Sequence, residues 1–143
     1  MKNICIVAGA RPNFVKVAPL IRAIENTKEA SYHLVYAGRE DDPTLEPSLF
    51  DDLQMPRPSV FLGVDSTKLN EITSRVMAEF DAYLDREPTD VVIVVDDLAS
   101  PMAAARWRME DSSSSGGSSV RSRDTTYMAC SAKGGDMMSP RRL

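Results

Sequence analysis

The stretch Ile4-Cys5-Ile6-Val7-Ala8-Gly9-Ala10-Arg11-Pro12-Asn13-Phe14 decides the fold. Five consecutive apolar residues ended by a glycine suit a strand buried on both faces. Beyond Gly9 the period changes. Val17, Leu20, Ile21 and Ile24 recur three and four apart, as on one face of a helix that takes hold from Phe14. Pro12 stands near the helix entry, where its missing N–H costs little, and Asn13 is the expected N-cap. A buried strand running straight into a helix is the first half of a βαβ unit.

Outward from this unit the alternation continues. Tyr32 to Ala37 reads as a second strand closed by Gly38. An acidic loop, Arg39-Glu40-Asp41-Asp42-Pro43, leads to a short helix carrying Leu45, Leu49, Phe50 and Leu53. Pro56 and Pro58 exclude a helix around them, and Val60-Phe61-Leu62 reads as a third short strand. Leu69, Ile72, Val76, Phe80 and Leu84 mark the buried stripe of a long helix. Val91-Val92-Ile93-Val94-Val95 is the strongest strand in the chain and stops at Asp96-Asp97; Ser100-Pro101 opens a last helix toward Trp107. Strands alternating with helices imply an α/β protein, a Rossmann-like parallel sheet with flanking helices and right-handed crossovers.

Composition sets the outer limits. The 143 residues are 43% hydrophobic and 27% charged, enough for one domain with a buried core. A net charge of −4 and a pI near 5.0 argue against a nucleic-acid binder held by a broad basic surface. No apolar run approaches the ~20 residues of a membrane helix, so no membrane is expected as a partner. The opening MKNICIVAGARP breaks at Gly9 and Pro12, too early for a signal-peptide core. Cys5 and Cys130 form neither a disulfide framework nor a zinc spacing. A reduced, cytoplasmic protein is the expectation.

The averages hide a break near residue 110. Residues 1–110 carry 12 Lys/Arg against 18 Asp/Glu, a net −6, whereas residues 111–143 carry 5 against 3. That last segment holds nine Ser and four Gly, and only Val120 and Leu143 represent Val, Ile, Leu, Phe and Trp. So little apolar surface does not offset the entropy of ordering a chain. We therefore expect a Rossmann-like α/β domain over 1–110 and a Ser/Gly-rich, disordered or non-native tail over 111–143.

Ligands of parallel sheets bind where the strands end. The loops that qualify are Gly9–Asn13, Gly38–Pro43 and Asp96–Ser100. In the first, backbone N–H groups and the helix dipole favour an anion such as phosphate, with Arg11 and Lys16 flanking the turn. One glycine, where a dinucleotide fingerprint needs three, excludes that motif. A plain strand–helix turn with solvated cations is the alternative. Asp96 and Asp97 either hold a divalent metal or supply a general base, or one caps the next helix while the other faces water. Glu40-Asp41-Asp42 reads as a solvated loop and His33 as structural.

Three segments carry a resemblance. ICIVAGARPNFVKVAPLIRAI fits the pattern G-x-R-P-x-x-x-K-x-x-P on Gly9, Arg11, Pro12, Lys16 and Pro19. With Leu69–Arg75 and EPTDVVIVVDDLASPMAAARW, it resembles the non-hydrolysing UDP-N-acetylglucosamine 2-epimerases over about residues 3–107. The resemblance implies the N-terminal half of a two-domain, glycosyltransferase-B-like enzyme. It implies an isomerase interconverting UDP-GlcNAc and UDP-ManNAc by elimination and re-addition of UDP, with no nicotinamide cofactor and no metal. By the same resemblance the partner is a UDP-sugar. Gly9, Arg11, Pro12 and Lys16 bind it, and Asp97, Lys16 and Arg11 are catalytic.

The departures from the family pattern carry their own expectation. Asp96 stands where the family has glycine, and Arg39-Glu40 stands where it has Gln-His. Gly117-Ser118-Ser119-Val120-Arg121 and Met128-Ala129-Cys130-Ser131 stand where it has H-V-E-A-G-L/I-R and M-P-E-E, so two glutamates are missing. Impaired or absent turnover by the isolated chain is the consequence. The alternative is a non-catalytic fragment or a small nucleotide- or partner-binding module. The strand at Val91–Val95 is short of its usual neighbours unless the tail supplies one, which predicts exposed apolar surface and a tendency to self-associate.

Overall fold

The computed structural model describes residues 1–95 and, as a backbone strand, residues 126–130. The chain runs β1 (Lys2–Ala8), α1 (Arg11–Thr27), β2 (Ala30–Tyr36), α2 (Pro47–Leu53), β3 (Val60–Phe61), α3 (Leu69–Arg86), β4 (Val91–Val95) and β5 (Thr126–Cys130). The expected helix from Ser100 to Trp107 lies outside the described residues.

All the strands are parallel, in the order β3-β2-β1-β4-β5. β1 is central, pairing with β2 from Lys2↔Ala30 to Ala8↔Tyr36 and with β4 from Ile4↔Val91 to Val7↔Val94. β5 pairs with β4 from Val91↔Thr126 to Val95↔Cys130. The neighbour that the Val91–Val95 strand needed therefore comes from the 111–143 segment.

The apolar runs show no polar alternation because both faces of the sheet are covered. Ile6, Ala8, Leu34, Tyr36, Ile93 and Val95 pack on one face with Phe14, Val17, Ile21 and Ile24 of α1 and Leu49 and Phe50 of α2. The residues between them, Cys5, Val7, Val35, Val92 and Val94, pack on the other with Val76, Phe80, Tyr83 and Leu84 of α3. Each large side chain buried this way contributes about 1.5–3 kcal/mol. Phe14 joins the layers on its face, meeting Tyr36 at 5.7 Å and Phe50 at 5.2 Å between ring centroids. Burial pushes the Cys5 thiol up to about 12, so this residue packs as a small, unreactive apolar side chain.

Three local expectations need correction. α1 begins at Arg11 rather than Phe14, which puts Asn13 at the third helical position; the N-cap is Ala10, in extended backbone. Leu69 is 63% exposed instead of lying on the buried stripe. It is the first residue of α3, over the loop end of the sheet rather than its apolar surface, and Tyr83 at the far end of the helix is buried in its stead. Leu45 is buried but precedes α2. Among the described residues, no helix is long and apolar enough to cross a membrane.

Candidate functional site

Because the strands are parallel, Ala8, Tyr36, Phe61 and Val95 end at the same edge of the sheet. The loops that leave these strand ends build the site. After Ala8 the chain turns through Gly9 and Ala10 into α1. The fully buried Asn13 side chain reaches back, its Oδ1 accepting the N–H of Gly9 at 2.8 Å and of Ala10 at 3.0 Å. The Asn13 N–H in turn donates to the Ala10 carbonyl at 3.0 Å. The Gly9 and Ala10 amides are therefore directed at a side chain of the same turn, which narrows the amide-cradle expectation to the helix-entry N–H groups beyond them.

Arg11 and Pro12 open the helix and are exposed; Lys16 lies further along it and is half-buried. Gly9, Arg11 and Pro12 thus stand together at the turn. Asp96 and Asp97 come directly after Val95 in sequence and lie outside the described residues. Val94, one residue before the end of β4, is in register with Val7, one before the end of β1.

Beside the turn is a cleft of about 180 Å³ between Gly9, the end of β2 from Tyr36 to Gly38, Asp42, and Val64, Ser66 and Ile72. Its floor is a pinned tyrosine. The Tyr36 hydroxyl donates to Asp42 Oδ2 at 2.6 Å, and Thr44 donates its N–H and hydroxyl to Asp42 Oδ1 at 2.9 and 2.7 Å. The Tyr36 hydroxyl, with the Thr44 donors, holds the Asp42 carboxyl below its usual range, against the opposing effect of burial. Burial, with the Asp42 acceptor and charge, pushes the Tyr36 phenol above its own usual range. With three donors on it, Asp42 serves as an anchor for the loop rather than as a free base.

Gly38 is needed for this arrangement. A Cβ there would fall 2.6 Å from Tyr36 Cε1. Arg39 bonds to Asp41 on its own loop and to Asp65 at 3.1 Å, linking the loops after β2 and β3 across exposed side chains. Glu40 and Asp41 are exposed, as a solvated loop requires, whereas Asp42 turns inward to the cleft. The Gly38–Pro43 loop is one of those the sequence singles out, whereas Tyr36 as the floor of the cleft and the inward turn of Asp42 emerge only in the structure. The available signal was Asp42-Pro43-Thr44, whose aspartate bonds to the backbone two residues on.

Comparisons with known proteins agree with this edge-on architecture. A family model described as UDP-N-acetylglucosamine 2-epimerase matches residues 22–109. The chain belongs to the UDP-N-acetylglucosamine 2-epimerase family. The family match covers the strand that precedes Asp97 and begins after Lys16. A Methanocaldococcus jannaschii UDP-N-acetylglucosamine 2-epimerase is 29% identical over 103 residues, which is 72% of this chain and 28% of that protein. A Methanococcus maripaludis UDP-N-acetylglucosamine 2-epimerase homolog is 31% identical over 105 residues, 73% of this chain and 29% of that protein. The crystal structure of the M. jannaschii UDP-GlcNAc 2-epimerase with UDP-GlcNAc and UDP aligns with a TM-score of 0.69 at 26% identity, over 90% of this chain and 32% of that one. The chain thus spans under a third of the length of the family members it matches, and it resembles their N-terminal, Rossmann-like domain.

Proposed function

We propose that this chain handles the diphosphate of a UDP-sugar in a 2-epimerase reaction, as part of the N-terminal domain of such an enzyme. Family membership supports this reading most, together with two cations, Arg11 and Lys16, on the helix that starts at the carboxyl edge of the sheet. In the reaction, the proton at C2 is removed and UDP departs, leaving an unsaturated sugar. Return of a proton to the other face and re-addition of UDP invert C2. Departure of a diphosphate needs positive charge where negative charge develops, the role we assign to Arg11 and Lys16. Proton movement at C2 needs a carboxylate, the role we assign to Asp97. Gly9 and Pro12 shape the turn against the ligand. Within this reading the protein is cytoplasmic and uses neither a nicotinamide cofactor nor a metal.

Incubation of the purified chain with UDP-GlcNAc, monitored for UDP-ManNAc and free UDP, tests the proposal. Turnover that Asp97→Asn abolishes is the expected result if the residues present suffice for chemistry. A second reading is binding without turnover, favoured by the Gly117–Arg121 segment that stands in place of a glutamate-bearing motif. Loss of an acid or base group lowers rates by about 10²–10⁴. Saturable UDP binding with no epimer and no released UDP selects that second reading. Absence of both binding and turnover sinks the UDP-sugar assignment.

A further inference from the structure

Two amides of the turn between β1 and α1 are taken up within the turn itself. Asn13, with no exposed surface, accepts the N–H groups of Gly9 and Ala10 through Oδ1; its own N–H donates to the Ala10 carbonyl, and Pro12 has no N–H to offer. An anion cradle made of loop amides needs such donors to point outward. Here two of them are directed at a buried carboxamide.

We propose that Asn13 is the positioning residue of this site. It locks the Gly9–Ala10 turn and leaves recognition of a diphosphate to the charged side chains of α1, Arg11 foremost. Arg11 is the first helical residue and is exposed, so its guanidinium fork meets phosphate oxygens outside the turn. The carbonyl half of the Asn13 carboxamide is the half that holds the turn, because Oδ1 accepts both N–H groups. Aspartate therefore replaces it functionally. A carboxylate keeps the acceptor oxygen, and both the two N–H donors and the helix dipole favour it. Leucine keeps the bulk and loses the acceptor, freeing the turn to move Arg11. This inference deepens the UDP-sugar reading above and rests on it.

The test is calorimetric titration of UDP into the full chain as wild type, Asn13→Asp and Asn13→Leu, at low and high salt, with a thermal melt of each. We expect wild-type affinity to weaken steeply with salt, as binding through exposed charge does. Asn13→Asp should stay within about fivefold of wild type, and folded Asn13→Leu should lose about tenfold or more, the equivalent of ~1.4 kcal/mol. A merely structural Asn13 would lower the melting midpoint of Asn13→Leu and leave the affinity of its folded fraction unchanged, which overturns the proposal. Salt-insensitive binding by the wild type overturns it too. Should Asn13→Leu fail to fold, Asn13→Ala, which also removes the acceptor, takes its place, and a wild-type affinity there overturns the proposal. No saturable UDP binding by the wild type overturns the UDP-sugar reading itself, a result distinct from equal binding by all three chains.

Discussion

At Gly38 the space of a single methyl group sets the shape of the cleft. The demand is spatial, since the Gly38 backbone is not left-handed; the obstacle is the Tyr36 ring, 2.6 Å from where a Cβ would sit. That ring has little freedom to yield. It is 3% exposed, packs on Phe14 and Phe61, and is tied by its hydroxyl to Asp42. Forcing a buried aromatic aside costs about 1–3 kcal/mol. We expect Gly38→Ala to lower stability by about that amount in urea unfolding, and Tyr36→Phe by about 0.5–1.5 kcal/mol through loss of one hydrogen bond. An unchanged urea midpoint for Gly38→Ala would mean that the ring is not held as described.

At the scale of the element, α1 carries an interior proline. Pro19 cannot donate to the Val15 carbonyl, and both residues lie on the exposed side of the helix, Val15 at 57% exposure. On that side the carbonyl left without its helical donor faces solvent rather than the core, where the interruption would be severe. An interior proline costs about 3 kcal/mol relative to alanine, partly offset by the stiffer unfolded chain. Pro19→Ala should therefore stabilise the protein by about 2 kcal/mol, read as a higher thermal midpoint. A lower midpoint would show that the proline shapes how Phe14 and Val17 seat on the sheet. The apolar spacing of α1 and α3 was legible in the sequence because a helix buries every third or fourth residue. The first turn of α1 departs from the sequence expectation: asparagine is favoured at the N-cap, and only the bonds from Gly9 and Ala10 place it at the third position, reaching back as in a capping box.

At the scale of the whole molecule, the outer strand β5 comes from the compositionally distinct segment. It covers the edge of β4 over the full length from Val91 to Val95. An uncovered strand presents a row of unpaired backbone groups that recruits other chains. Deletion of residues 111–143 should thus lower the melting midpoint and raise the apparent mass with concentration in light scattering. A truncated chain that stays monodisperse and equally stable would show that β5 contributes nothing to the sheet. Pairing of this kind was not legible in composition. Few apolar residues weaken a segment's own tendency to order, whereas an existing strand edge offers its backbone ready partners.

The sequence by itself determined the class of fold, the succession of strands and helices through Val95, and the family motif from Gly9 to Pro19. Those features are written in local periods and in fixed short spacings, which need no knowledge of where the chain goes next. Only the tertiary structure decided that β1 lies at the centre of the sheet and that β5 closes one side of β4. It alone showed Asn13 taking the amides of the turn and Tyr36, Gly38 and Asp42 forming one packed unit. Strand register and side-chain hydrogen bonds are settled by steric fit and by the need of each buried polar group for a partner. Neither constraint has a period along the chain.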